Sequence, residues 1–239
     1  MGSISSIKSD ENEELKDVLK TVKEKSPEII NESILKKKAI DSSKEKLLKK
    51  RSEAIEEAIA NKKNNDDIKN MLKKYNLDEL NIEKEYLMNE VEKIHSLYEL
   101  GLDLSEPAKK ATLKQIEKGT SSICCASTII SHINKLSAKE FFHSKYGKPL
   151  KSAIEKQGMN ESILIDKKTE LLEDRKKRRE EEKAKYNLEQ NEFPPEDDLN
   201  IDTNKIYEAI FNEYANFNED FRKMHLGIDM IENLQEINN

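Results

Sequence analysis

The chain has no tryptophan, and its 239 residues include only 6 glycines, 5 prolines and 2 cysteines. So few glycines leave few places where backbone can close on a phosphate, and no glycine-rich phosphate loop is found. HExxH and GxSxG are missing as well, which removes the usual zinc-hydrolase and nucleophile-elbow signatures. Cys124 and Cys125 are neighbours that cannot pair on a helix, so no disulfide framework is expected and a reducing, cytoplasmic compartment fits best. No apolar run approaches about 18 residues and no apolar signal core follows the start, so neither a membrane span nor a secretory leader is expected.

What the chain has instead is charge. Charged residues make up 38% and hydrophobic ones 35%, a balance found in long solvated helices, so the expected fold is all-α: an elongated multi-helix bundle with long charged helices and helical hairpins. Forty-two bases against 48 acids give a net charge of −6, which opposes wholesale binding of nucleic acid, and no nucleic-acid partner is expected. The charge is uneven: residues 101–150 carry 8 bases and 4 acids, residues 187–239 only 3 bases and 13 acids. The middle is basic and the tail acidic.

Apolar periodicity divides the chain into a flexible start at 1–9, a helical bundle at 10–158, a long charged helix at 159–192, an acidic hinge at 193–201 and a C-terminal helical pair at 202–239. Leu15, Val18, Leu19 and Val22 form one helical face, and Ser26-Pro27 reads as a break that starts a second helix running to about residue 60. NKKNNDD at 61–67 reads as a turn, with Asp66 or Asp67 capping a short helix, and a separate helix is expected from Asp78 to Leu100, ended by Gly101. Ser105 should cap a helix to Gly119. SSICCASTIISHINKL at 121–136 is apolar almost all round and suits the middle of a bundle. Ser137 and Glu140 have capping-box spacing, and YGKP at 146–149 should interrupt the helix they begin. In ELLEDRKKRREEEKAK the pairs Glu173–Lys177, Asp174–Arg178 and Glu181–Lys185 stand four apart with the acid first, the order that stabilises a helix by itself.

Several stretches carry candidate functions, each beside a plainer reading. MGSISS fits N-myristoylation: Gly2 would be the acylated amine, in a channel that tolerates no side chain there, with Ser3 and Ser6 as recognition residues. Chance or a vector-derived leader is the competing explanation. One acyl chain holds a bilayer weakly, on the order of 10⁴ M⁻¹, so a second contact would be needed. ILKKKAIDSSKEKLLKKR at 34–51, with eight bases and two acids, is the candidate, and Lys36, Lys37, Lys38, Lys49, Lys50 and Arg51 are its membrane-facing bases. The plainer reading, a solvated face whose apolar stripe packs in a bundle, fits it better. RKKRR at 175–179 resembles a nuclear address, yet flanking acids suit a charged solvent-exposed helix better. Cys125 and His132 share a helix face and could form a thiol–imidazole pair, although the same helix is the best core candidate. DLNID at 198–202 begins like a calcium loop but lacks its turn glycine and closing glutamate, so no metal is expected. Tyr207, Phe211, Tyr214, Phe217 and Phe221 are aromatic anchors for docking a partner, or for packing back on the core.

Together these observations point to a non-enzymatic adaptor or scaffold without a cofactor, peripheral on a membrane facing the cytosol and binding a protein partner or a second copy of itself. The competing expectation is a soluble coiled-coil interaction protein, nuclear through RKKRR.

Overall fold

The computed structural model describes residues 13–119, 123–159, 162–187, 208–210 and 212. Every regular element among them is an α-helix, so the all-α, multi-helix expectation holds. The helices are α1 (Glu13–Ala60), α2 (Asn65–Asp103), α3 (Ser105–Gly119), α4 (Ile123–Lys135), α5 (Ala138–His143), α6 (Lys148–Glu155) and α7 (Ser162–Tyr186). None of them is long and apolar enough to cross a membrane.

Two expected breaks are absent. α1 runs unbroken through Ser26-Pro27. Proline removes one amide donor there, but Pro27 faces solvent, and the buried hydroxyl of Ser26 donates to the Val22 carbonyl at 2.5 Å. α2 likewise continues through Asn76-Leu77-Asp78, because the Asn76 side chain is buried and its carbonyl oxygen accepts from Arg51 instead of competing for local backbone. The turn between α1 and α2 is where it was expected, with Lys62 at φ 49°, but the cap is Asn64, whose side chain accepts from the Asp67 amide at 2.8 Å. Asp66 and Asp67 lie in the first turn and complement the helix dipole.

The described residues divide into two compact units, each assembled from segments distant in sequence, and α1 and α2 contribute to both. The first unit takes residues 13–30 and 93–159. Its core gathers Val22, Leu97, Phe141, Phe142, Leu150 and Ile154. Gly101 does not end α2. It is buried within it, because a β-carbon there would lie 2.6 Å from the ring of Phe142. Ser105 does not cap α3 through its side chain either, since its hydroxyl donates back to the Gly101 carbonyl at 2.8 Å.

From Ala126 onward, α4 is less buried than its composition suggests. Ala126, His132 and Ile133 face inward, while Ser127, Thr128, Ser131 and Asn134 are exposed. The buried Lys109 ammonium donates to the Leu136 carbonyl at 2.6 Å, just past the end of that helix. The capping box is present: the Ser137 amide donates to Glu140 at 2.7 Å and the Glu140 amide to the Ser137 hydroxyl at 3.2 Å. The expected interruption falls at Ser144–Gly147, after which Pro149 sits in the first turn of α6. Gly147 is required because a β-carbon would overlap the Phe141 carbonyl oxygen.

The second unit takes residues 31–92, α7, and the helical residues 208–210 and 212, of which Ile210 is buried. One small apolar cluster joins Ile55, Ala58, Ile68 and Leu72, with Met71 and Tyr186 against it. α7 ends at Tyr186, with Asn187 at φ 49° in the left-handed conformation asparagine tolerates at helix ends.

Candidate functional site

The second unit holds a seam of buried charge. On α2, Asn76, Glu79 and Glu83 follow at steps of three and four, on one face; on α7, Leu171, Arg175, Arg178 and Glu182 do the same. Arg175 pairs with Glu83 and Arg178 with Glu79, and the side chains of the two glutamates are almost wholly buried. Arg51 of α1 completes the seam. Its guanidinium reaches both carboxylate oxygens of Glu182, at 2.9 and 3.0 Å, and also donates to Asn76. Arginine suits this place because its planar fork satisfies two acceptors at once and stays charged when buried. Toward the apolar cluster the seam ends in Tyr186, whose hydroxyl meets Ser52 at 2.6 Å and Glu56 at 3.1 Å.

These partners revise the helix-internal pairing expected for α7. Arg178 turns to Glu79 rather than Asp174, and Lys185 to Glu56 at 3.3 Å rather than Glu181. A carboxylate already buried on α2 is worth more to Arg178 than an exposed one on its own helix. RKKRR is therefore not a uniformly solvated run: Arg175 is buried, Arg178 and Arg179 are half-buried, and Lys176 and Lys177 are exposed.

Beside the seam lies a cleft of about 350 Å³, lined by Lys37, Lys44, Tyr86, Lys167, Glu170 and Leu171 among others. The Lys37 ammonium stands 5.1 Å from the centre of the Tyr86 ring and that of Lys167 6.0 Å. Hydrogen bonding to Tyr86 raises the Lys37 ammonium above its ordinary range, and the Glu170 carboxylate raises Lys167 and is itself lowered in return. Lys44 reaches Glu83 at 3.4 Å. In both lysines these contacts favour the charged form.

The bases expected to form one membrane-facing patch are separated by the fold. Arg51 is buried in the seam and Lys37 lines the cleft. Lys36 is exposed but paired with Glu92 at 2.9 Å and Glu32 at 3.2 Å. Lys38, Lys49 and Lys50 are exposed, and so is Lys46, which was not singled out from sequence although helical spacing places it four residues before Lys50. Gly2, Ser3, Ser6, the side chains of Cys124 and Cys125, and Tyr207, Phe211, Tyr214, Phe217 and Phe221 lie outside the described residues, as do FPPEDD and DLNID. His132, offered as the partner of Cys125, is buried with its ring 6.3 Å from that of Tyr146.

No protein-family model matches the chain, and no curated protein or solved structure shows significant similarity to it.

Proposed function

We propose that the protein is a non-enzymatic helical adaptor or scaffold that binds a protein partner and reaches a membrane through N-myristoylated Gly2. The observation that carries the membrane half is MGSISS, in which the glycine, the small residues after it and Ser6 all suit the acyl transferase. Two structural observations support the scaffold half. The buried ionisable groups of the seam, Arg51, Glu79, Glu83 and Arg175, pair with one another and with Glu182 and Arg178, which joins helices. Ile165 and Leu172, seven residues apart on one face of α7, are 59% and 39% exposed, the pattern of a helix that offers an apolar edge to a partner.

The test is the intact mass of the protein made in eukaryotic cells, beside its Gly2→Ala form. Loss of the initiator Met plus one myristoyl group, absent in the variant, is the expected result. An unmodified N-terminus ends the membrane half. The alternative, a nuclear protein addressed by RKKRR, has less support, because Arg175 and Arg178 are committed to Glu83 and Glu79 and the folded helix does not present five consecutive bases.

A further inference from the structure

Sorting the lysines of α1 by exposure leaves a pattern that composition conceals. Leu35, Lys38, Ser42, Lys46 and Lys49 follow at steps of three, four, four and three, so they share one helical face, and Lys50 lies beside Lys46 on the next turn. All six are exposed, Leu35 by 66%. From Lys38 to Lys50 the face is about 18 Å long and carries four positive charges. Two acids share the face: Glu45 lies seven residues after Lys38 and four before Lys49, and Glu53, four after Lys49, has a carboxylate oxygen 4.0 Å from it, while Asp41 stands to one side, so the lysines outnumber the acids by four to two. Other bases of this segment have turned to acids elsewhere, Lys36 to Glu92, Lys44 to Glu83 and Arg51 to Glu182.

We propose that this lysine face of α1 is a docking surface for an anionic lipid bilayer. Charge complementarity is the first argument, since a row of ammonium groups on a convex helix matches a plane of anionic headgroups, each lysine adding to the attraction. The choice of lysine is the second. Flexible point charges with no arginine fork and no aromatic side chain among them suit a fluid headgroup layer better than the fixed phosphates and base edges of a nucleic acid. Leu35 is the third, an apolar side chain standing out at one end of the face, where a bilayer can accept it. The opposite face of α1 is occupied by Ile55, Ala58 and the Arg51 seam, so the helix adsorbs at the headgroup level and does not bury an apolar face in the acyl region. Binding is therefore governed by charge and weakens with salt, as the Debye length is about 8 Å at physiological ionic strength.

The lysine face supplies the second contact that the membrane reading of Gly2 calls for, and its assignment rests on that reading for its setting. The test needs no acyl group, so the two can fail separately. The full chain made in bacteria, unacylated, is sedimented with vesicles of phosphatidylcholine alone or with 30% phosphatidylserine. Binding to the anionic vesicles only, at least tenfold weaker at 0.3 M than at 0.05 M salt, is expected. The triple variant Lys38→Glu, Lys46→Glu, Lys49→Glu should lose at least tenfold in affinity. Lys110→Glu, Lys118→Glu, Lys148→Glu, which makes the same change in net charge at exposed positions elsewhere, should retain most of it. Circular dichroism establishes that both variants are folded. No binding to anionic vesicles at 0.05 M salt, or equal losses in the two variants, overturns the proposal. So does binding of duplex DNA or RNA through Lys38, Lys46 and Lys49 with no vesicle binding, which would reassign the face to nucleic acid.

Discussion

Arg175 and Glu83 stand 92 residues apart in sequence and form an ion pair in the interior of the second unit, with the glutamate side chain 0% exposed. A charge taken out of water at that depth depends on its counter-charges, so deleting either member removes one from the other. Arg175→Ala and Glu83→Ala should each destabilise the protein by about 3 kcal/mol. Glu83→Leu combined with Arg175→Met should recover most of that loss, because Lys44, which also pairs with Glu83, is partly exposed and can return to water. Urea denaturation of the wild type, the single variants and the double variant measures the coupling. Single variants that lose less than about 1 kcal/mol would mean that water reaches the seam and the pair is screened.

Gly101 and Gly119 make a matched comparison. Both are helical, but a β-carbon at Gly101 meets the Phe142 ring at 2.6 Å, whereas at Gly119 nothing among the described residues lies within 4 Å. Phe142 is fully buried in the core with Phe141 and Ile154, so any shift of its ring presses on packed neighbours. Alanine gains up to about 1 kcal/mol of helix propensity over glycine, and overpacking costs about 1–3 kcal/mol. Gly101→Ala should therefore lower the thermal midpoint, and Gly119→Ala should leave it unchanged or raise it slightly. Equal shifts in the two variants would show that the Phe142 ring yields easily.

Pro27 lies inside α1 with its ring in solvent, so its missing amide costs a hydrogen bond and its side chain fills no buried space in return. Pro27→Ala should stabilise the first unit, by as much as about 2 kcal/mol. Ser26→Ala should act in the opposite direction, since it removes the donor to Val22 and a buried oxygen together. Thermal unfolding followed by circular dichroism decides both, and a destabilised Pro27→Ala would show that the helix relies on the geometry proline imposes.

How far the fold could be read from sequence depended on how local each cause was. The capping box of Ser137 and Glu140, the turn at Lys62 and the interruption before Pro149 involve residues within four positions, and each was legible. The breaks expected at Pro27 and Asn76 were not real. At Asn76 local preference yields to a partner that only the fold supplies, Arg51, which lies 25 residues before it. The same limit hid the seam, because nothing near RKKRR indicates that two of its arginines belong to Glu79 and Glu83. Lys46 could have been found. Helical spacing from Lys38 through Ser42 puts it on the face that Lys49 also occupies, and only the grouping by runs of consecutive bases obscured it.

Glu140 offers a test in which pH is the variable. The Ser137 amide, hydrogen-bonded to its carboxylate, holds the Glu140 carboxyl below its ordinary value, and the Ser137 hydroxyl adds to the effect. The unfolded chain therefore takes up a proton at higher pH than the native one, so between the two values the unfolded state binds more protons and stability rises with pH. The contribution is complete above the ordinary value of 4.5 and is lost as pH falls through the lower native value. Glu140→Ala should cost about 1 kcal/mol at pH 7, a typical loss for a helix cap. The gap between the wild type and this variant should narrow as pH is lowered below 4.5, and the wild type should converge on Glu140→Gln, which keeps an acceptor but carries no charge. Urea titrations at pH 7, 5, 4 and 3 measure the gap. A gap that stays constant down to pH 3 would mean that the cap draws nothing from the carboxylate's charge.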